Sequence, residues 1–312
     1  MRLIKTLSFV IWLACSVFAG PANAFSCTAT VTLDFGTIDL TAGSAIAGQG
    51  TVAVDCSGGG SGQVLRACPG IATPRQMTRT AGGQINYELY SDVAHTAVWG
   101  QTSGNIYPPP INVTLNAGGS GSASIQIYGL IAAAQTTAPT TNANSAYAQS
   151  PAVSVGSADA TGSPACAAIG ALNASSGSAI VNATYPPVCT IAASPLAFGN
   201  VTSLSSAIDA QTSISARCSS GTPYEIWLNG GLTNPPDPTQ RAMQHGSDRL
   251  AYGLYQNSPR TTPWGDTPGT NVLGGTGNGQ TAALPVYGRI QSSQSTPPPG
   301  NYSDTVIATI NY

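Results

Sequence analysis

Six cysteines stand where they could form disulfide bonds or bind a metal ion. The sequence has seven cysteines, and one of them, Cys15, lies within the first 24 residues. The other six are Cys27, Cys56, Cys68, Cys166, Cys189 and Cys218. A metal site is disfavoured because no Cys-x-x-Cys pair and no histidine cluster accompanies them. In an exported chain an even number of cysteines favours disulfides, and sequence alone permits fifteen pairings.

Other residues with catalytic or ligand chemistry are scattered. His95 and His245 stand alone, outside any HExxH, nucleophile-elbow or paired-carboxylate pattern. Asp34, Asp39 and Asp55 do not have the spacing of a calcium-binding loop. We therefore expect no catalytic residue, no metal site and no cofactor, and predict that the protein is not an enzyme.

The cysteine spacing is repeated along the chain. Cys56 follows Cys27 by 29 residues, and Cys218 follows Cys189 by the same interval. Phe35–Gly36, Met77, Leu89–Tyr90, Trp99–Gly100 and Tyr128–Gly129 recur as Phe198–Gly199, Met243, Leu254–Tyr255, Trp264–Gly265 and Tyr287–Gly288. A repeat of roughly 125–160 residues is too long for a solenoid unit and fits two whole domains. If the copies share a fold, 27–56 and 189–218 are equivalent disulfides, which leaves 68–166 as the third.

The N-terminus has the pattern of a secretory signal peptide. Arg2 and Lys5 precede an apolar run, Leu7–Ala19, and the small residues of Ala22–Ala24 follow it. We predict a signal peptide over 1–24, cleaved before Phe25. The alternative, an uncleaved anchor, is disfavoured because the run is shorter than the ~20 residues of a membrane span.

The composition of the remaining chain favours a neutral, strand-rich protein. It has no lysine, and eight arginines against twelve carboxylates give a net charge of about −4. This balance argues against nucleic acid or an anionic membrane as a partner. Abundant Gly, Ser, Thr, Val and Pro disfavour helices and suit short strands. With 42% hydrophobic residues the chain can bury a core.

Alternating polar and apolar residues predict strands throughout. Thr51–Cys56 and Val306–Tyr312 alternate with period two, and Gly/Pro-rich turns separate such segments. The pattern predicts an all-β chain with two β-sandwich domains, 25–185 and 189–312, joined by the stiff Pro186–Pro187.

The first copy is longer than the second. It takes about 50 residues from Ile131 to Ile180, where the second takes about 17 from Ile290 to Ile307. The extra stretch, 132–179, is rich in Ala, Thr, Ser and Asn. We interpret it as a long insertion, and long excursions from compact domains are usually either functional or disordered.

The motifs of the second copy resemble a known family. They include Cys189-Thr190-Ile191, Leu196-Ala197-Phe198-Gly199, Gly221-Thr222-Pro223-Tyr224, Trp264-Gly265-Asp266, Val286-Tyr287-Gly288-Arg289-Ile290 and Gly300-Asn301-Tyr302-Ser303-Asp304-Thr305-Val306. This combination closely resembles the spore coat protein U domain, the pilin module of archaic chaperone–usher pili. The first copy is similar but diverged: Leu130 replaces the motif arginine, and no Gly-Thr-Pro-Tyr follows Cys56.

The resemblance implies two immunoglobulin-like sandwiches, the second lacking its last strand. A donor strand from a neighbouring pilin subunit would complete it by β-augmentation. The acceptor edge would comprise Val306, Ala308, Ile310 and Tyr312. The resemblance also implies a periplasmic pilus chaperone and an outer-membrane usher as partners. The alternative is an ordinary closing strand in a complete sandwich.

The predicted mature N-terminus indicates the type of subunit. Only Phe25 and Ser26 precede Cys27, so we expect a subunit that accepts a strand and has none to donate. With the resemblance, this suggests the two-domain tip adhesin of a chaperone–usher pilus, serving surface attachment and biofilm formation. It would be exported through the periplasm to the cell surface of a Gram-negative bacterium. The alternative is a secreted structural coat or matrix protein outside any pilus.

One loop is a candidate for contact with the unknown surface or receptor. It comprises Ile106, Tyr107, Pro108, Pro109, Pro110 and Ile111, in which proline would hold apolar side chains in solvent at low entropic cost. Alternatively, Ile106 and Ile111 are core residues at strand ends. The polar insertion could also recognise carbohydrate, and the sequence does not decide between these.

Overall fold

The computed structural model describes residues 25–292 and 294–312, and this part of the chain is almost entirely β-structure. Its first domain comprises β1 (Ser26–Thr37), β2 (Ile46–Ser57), β3 (Val64–Ile71), β4 (Gln76–Thr78), β5 (Gln84–Tyr90), β6 (Ile111–Thr114), β7 (Ser120–Ile131), β8 (Ser145–Gln149), β9 (Val153–Asp159), α1 (Cys166–Ile169) and β10 (Ser175–Tyr185). Its second domain comprises β11 (Cys189–Ala193), β12 (Ile208–Cys218), β13 (Pro223–Leu228), β14 (Arg241–His245), β15 (Asp248–Tyr255), β16 (Leu273–Thr276), β17 (Thr281–Ile290) and β18 (Ala308–Asn311). The predicted signal peptide, 1–24, lies outside the described residues. Within those residues no helix has the length and apolarity needed to cross a membrane.

The first domain is a sandwich closed by its own last strand. One layer has the strand order β1-β2-β7-β5-β4 and the other has β6-β3-β9. β10 joins the layers, because its residues Ser175–Gly177 pair antiparallel with β9. Further along, 178–184 pair in parallel with β1, and Val181–Tyr185 pair antiparallel with β8. β10 therefore fills the gap between the two layers.

The second domain repeats this arrangement without the closing strand. Its layers have the orders β11-β12-β17-β15-β14 and β16-β13-β18. They correspond strand for strand to β1-β2-β7-β5-β4 and β6-β3-β9. β18 is therefore the counterpart of β9, and no strand among the described residues of the second domain takes the position of β10.

Buried arginine and tryptophan side chains fix equivalent positions in the two domains. Nη2 of Arg75 donates to the carbonyl of Trp99 at 2.6 Å, and Nη1 of Arg241 donates to that of Trp264 at 2.9 Å. Both indoles are fully buried, and each donates to a carbonyl of the strand beside it, β3 or β13, at 2.8 and 2.9 Å. Burial lowers the pKa of both guanidinium groups, to about 10 for Arg75. The shared contacts support two copies of one fold.

The stretch 132–179 is more regular than its composition suggested. It contains β8, β9, α1 and the start of β10. Val153–Asp159 pairs with β3 as Ala308–Asn311 pairs with β13, so β9 is part of the common fold. The comparison of the two copies treated Ile180 and Ile307 as equivalent positions. This was wrong, because Ile180 lies in β10, which has no counterpart among the described residues of the second domain. Small residues such as Ser, Gly and Ala form these strands because neighbouring strands pair with them.

The structure contains the three disulfides expected from the repeat. Cys27–Cys56 and Cys189–Cys218 join the first two strands of each domain, with Cα atoms 4.0 and 4.1 Å apart. Cys68–Cys166 joins β3 to α1, with Cα atoms 5.6 Å apart. Together with Ile169 this bond forms a small buried cluster, against which Tyr107 packs.

The loop after β7 carries a contact between the two domains. The backbone N–H of Thr140 donates to the carbonyl of Ser220 at 2.6 Å. Nε2 of Gln280 donates to Oγ1 of Thr136 at 2.7 Å. Residues 136–140 therefore lie over the end of the second domain that carries its disulfide.

Candidate functional site

The second domain has an open groove in the position that β10 fills in the first. One wall is formed by residues 193–198, at and after the end of β11. The other is formed by residues 302–308, which lead into β18. The volume of the groove is about 460 Å³, within the range of protein ligand sites.

The floor of the groove is the apolar interior of the domain. Ile214, Leu228, Leu254 and Val286 line it, and they come from β12, β13, β15 and β17. The alternation of each strand directs these side chains toward the space between the two layers. The groove therefore opens directly onto the hydrophobic core.

The two cores differ in how completely they are covered. The main core of the first domain has 31 buried residues and four hydrophobic neighbours that are only partly buried. That of the second has 11 buried residues and 13 partly buried neighbours. The first strands show the same difference, because Ala29 and Val31 are buried whereas Ile191 is half-buried and Ala193 is exposed. The second core is thus left uncovered on the groove side.

In the first domain the equivalent space is occupied by side chains of β10. Ala179, Val181, Ala183 and Tyr185 are at most 3% exposed. They alternate with outward-facing residues such as Ile180, which is 50% exposed. In the first domain, the space equivalent to the groove is therefore filled by a strand with apolar side chains at every second position, namely Ala179, Val181, Ala183 and Tyr185.

The predicted acceptor edge lies partly along the groove. Val306 and Ala308 line it, and Ile310 is half-buried against the same core. Tyr312 is 54% exposed and does not line the groove. The side chain of Ile307 is 59% exposed. Its backbone N–H faces the β13 side and donates to Oδ1 of Asn229 at 2.8 Å.

The backbone of this edge is free on the groove side. β18 pairs with β13, and within the described residues no second strand pairs with it. Since the N–H and C=O groups of a strand alternate between its two sides, those of Val306, Ala308 and Ile310 point away from β13. They are available to an added strand.

A hydrogen-bonded tyrosine and aspartate fix the wall before β18. The hydroxyl of Tyr252 donates to Oδ2 of Asp304 at 2.7 Å. Oδ1 of Asp304 accepts the N–H of Leu232 at 2.7 Å and that of Thr305 at 2.8 Å. Burial, together with donation to the Asp304 carboxylate, raises the pKa of Tyr252. The wall is thus positioned before any strand enters.

Sequence comparison identifies the family. The profile of the Spore Coat Protein U domain matches residues 6–147 and 175–309, one match for each copy. The chain belongs to the spore coat protein U domain family. The predicted resemblance is therefore confirmed, and it covers the diverged first domain as well as the second.

The individual relatives of this spore coat protein U chain either match only part of it or have low sequence identity. Protein U of Myxococcus xanthus is 35% identical over 106 residues, which are 32% of this chain and 58% of that protein. The match thus spans less than two thirds of that relative.

The structure is similar to a chain of the chaperone–tip adhesion subunit pre-assembly complex of archaic chaperone-usher Csu pili from Acinetobacter baumannii. The structural match covers 92% of this chain and 100% of that one, with 17% identity and a TM-score of 0.53, so the two share a fold. A tip adhesin from Pseudomonas aeruginosa gives 12% identity over 90% of this chain and 93% of that one, with a TM-score of only 0.37.

The candidate surface loop is only partly exposed. Ile106 is 52% exposed, and Pro110 is also exposed. Ile111 is a core residue with 2% exposure, Pro108 is buried, and Tyr107 packs on the Cys68–Cys166 cluster. Ile111 thus follows the alternative of a core residue at a strand end. The exposed apolar side chains of this loop are therefore those of Ile106 and Pro110.

Two features of the groove were not assigned from the sequence. Leu196 and Phe198 form one wall, and the bond between Tyr252 and Asp304 fixes the other. Leu196, Phe198 and Asp304 lie in the family motifs, but their spatial proximity could not be predicted. The strand that fills the equivalent space of the first domain, β10, begins within the predicted insertion, 132–179.

Proposed function

We propose that this protein is the tip subunit of a chaperone–usher pilus, joined to the stalk through the groove of its second domain. The observation that carries this proposal is the groove itself: an apolar core open along one side, with an unpaired strand edge beside it. Exposed apolar surface next to free backbone groups favours β-augmentation, since an added strand gains hydrogen bonds and burial together.

The first domain supplies a template for the donor strand. β10 runs antiparallel to β9 and parallel to β1, whose counterparts in the second domain are β18 and β11. A donor strand in the groove would run antiparallel to β18 and place apolar residues at alternate positions against the floor. The neighbouring pilin subunit would provide it in the fibre.

The first domain is suited to the end of the fibre. Its own strand fills its groove, so it does not accept a donor. Residues 25–34 are already used within the domain, because Phe25 packs on the core and residues 26–34 pair with β2. In this proposal the chain is joined through its second domain and presents the first domain outward.

The relatives support the assignment of partners. The structure from Acinetobacter baumannii is described as a complex of a chaperone with a tip adhesion subunit. By analogy, a periplasmic chaperone would fill the groove before assembly, and an outer-membrane usher would exchange it for the stalk subunit. The protein would act as an adhesin in surface attachment and biofilm formation, with no enzymatic activity.

A secreted coat or matrix protein outside any pilus is the second candidate, favoured by the description of the family as a spore coat protein domain. An open apolar groove would make such a protein prone to aggregate, because an exposed strand edge beside an exposed hydrophobic core promotes aggregation. The two proposals therefore differ in whether the chain needs a partner in the groove.

Co-expression with the pilus chaperone of the same bacterium tests this difference. The wild-type chain should form a soluble one-to-one complex with the chaperone. Leu196→Glu, which places a charge in the groove wall, should abolish the complex. Ala197→Glu is the matched control, because Ala197 is exposed and does not line the groove. A wild-type chain that forms no complex with the chaperone, or a complex insensitive to Leu196→Glu, would overturn the proposal.

A further inference from the structure

A second cavity lies at the end of the first domain, remote from its contact with the second. Its volume is about 430 Å³, and side chains from the start of β1, the end of β2 and the start of β7 line it. These strand ends lie opposite to the ends at which β7 and β10 lead toward the second domain. In a tip subunit, this end of the domain would face outward.

The cavity presents a regular array of hydroxyl groups around one carboxylate. Strand register aligns Ser26, Ser57 and Ser120 in one row, and Thr28, Asp55 and Ser122 in the next. Neighbouring strands lie about 4.8 Å apart, and successive rows on one face about 6.7 Å apart. Within the described chain, the side chains of Ser26, Thr28, Asp55, Ser57 and Ser122 make no hydrogen bond to one another or to other residues.

The array is held rigidly from below and from one side. The disulfide between Cys27 and Cys56 lies beneath it, and both residues are at most 3% exposed. Oδ1 of Asn116 accepts the N–H groups of Gly118 and Ser120, at 2.8 and 3.3 Å, which fixes the adjoining loop. The polar groups are thus positioned in advance, which lowers the entropic cost of binding a ligand.

The corresponding end of the second domain is covered by another segment. Counting from the paired cysteines, Ser57 and 58 correspond to Ser219 and Ser220. Ser219 is fully buried, and the carbonyl of Ser220 accepts the N–H of Thr140 at 2.6 Å. The same end of the module is therefore a docking surface in the second domain, and it stands open in the first.

The chemistry of the cavity selects a neutral, polyhydroxylated ligand. No arginine, lysine or histidine lines it, so it offers nothing to an anion, and Asp55 repels one. No large apolar side chain lines it either. A carboxylate beside hydroxyl groups can accept two donors from adjacent sugar hydroxyls, and charge-assisted hydrogen bonds are the stronger ones.

We propose that this cavity binds neutral carbohydrate. The proposal deepens the proposed function and depends on it for the setting: the pilus tip would attach to a neutral glycan surface through this end. The binding chemistry can be measured without a pilus, so the two proposals can fail separately.

The experiment is binding of the purified full chain, both alone and in complex with its chaperone, to an array of neutral and acidic oligosaccharides. Asp55→Asn removes the charged acceptor. Ser122→Lys places an ammonium directly across from Asp55, where the two would pair. Gln126→Lys is the matched control, because Gln126 is exposed on the same face of β7 four residues further along.

We expect binding to one or more neutral glycans, weakened at least about tenfold by Asp55→Asn and by Ser122→Lys but not by Gln126→Lys. The chaperone complex should form equally in all three variants. Absence of binding to every neutral glycan, binding that survives Ser122→Lys, or selective binding of acidic glycans or of protein would overturn the carbohydrate proposal. Loss of the chaperone complex in the wild-type chain would instead count against the pilus proposal.

Discussion

The hydroxyl of Tyr252 donates a hydrogen bond to the carboxylate of Asp304 across the base of an open groove, at 2.7 Å. Tyr252 lies in β15 within one layer of the second domain, and Asp304 lies in the segment that leads to β18 in the other. The bond therefore ties the two layers together at the place where the closing strand is missing. It fixes the position of the groove wall that leads to β18.

Tyr252→Phe should reduce the stability of the second domain by about 1–2 kcal/mol at pH 7, because a buried bond to a charged acceptor is lost. The effect should depend on pH. The folded-state pKa of Tyr252 is raised above its ordinary value near 10, so its contribution is complete below pH 10 and declines as pH rises through the folded pKa. Denaturant unfolding from pH 7 to 11 should show the difference between wild type and variant shrinking above pH 10. A difference that grows with pH would contradict this assignment.

Hydrogen exchange should distinguish the edge of β18 from its counterpart β9. β9 is paired on both sides, with β3 and β10, whereas β18 is paired with β13 alone. We expect the amides of Val306 and Ala308 to exchange at least about 100-fold faster than those of Val153 and Val155. Addition of a donor peptide should slow the former and leave the latter unchanged. Equal protection of the two strands in the free protein would show that the edge is already covered.

A copy of β10 appended after Tyr312 should close the second domain from within. A short glycine-containing turn followed by the sequence of residues 175–185 would return antiparallel to β18, as 175–177 do to β9, and place the equivalents of Ala179, Val181, Ala183 and Tyr185 over the groove floor. Burial of these side chains should raise the melting temperature of the second domain by roughly 5–10 °C. The matched control carries Asn at the positions of Ala179, Val181 and Ala183 and should give no increase. Equal stabilisation by both extensions would indicate an effect unrelated to the groove.

Much of this fold follows from local sequence signals. The cysteine interval and the recurrence of Trp99–Gly100 as Trp264–Gly265 predict two copies of one domain. In the structure both indoles are buried, and each donates to a carbonyl of the neighbouring strand. Alternating polar and apolar residues predict the long strands of both copies, because one face of each strand is buried.

The closing strand and the proposed carbohydrate site could not be predicted in this way. β10 has small residues such as Gly177 and Ala179, whose strand propensity is weak, and it is ordered by pairing with three other strands. Asp55 has no distinctive neighbours in sequence, and only the register of β1, β2 and β7 brings hydroxyl groups around it. Ile111 was a candidate for a surface loop, but it is the first residue of β6 and its side chain lies in the core.

The central claim is that the second domain accepts a strand through its groove. We would measure the affinity of a labelled donor peptide for the full chain and for two adjacent variants, Val306→Arg in the groove wall and Ile307→Arg on the solvent face. We predict saturable binding to the wild type, loss of at least about 100-fold in affinity with Val306→Arg, and little change with Ile307→Arg. Binding that is absent from the wild type, or weakened equally by both variants, would contradict the claim.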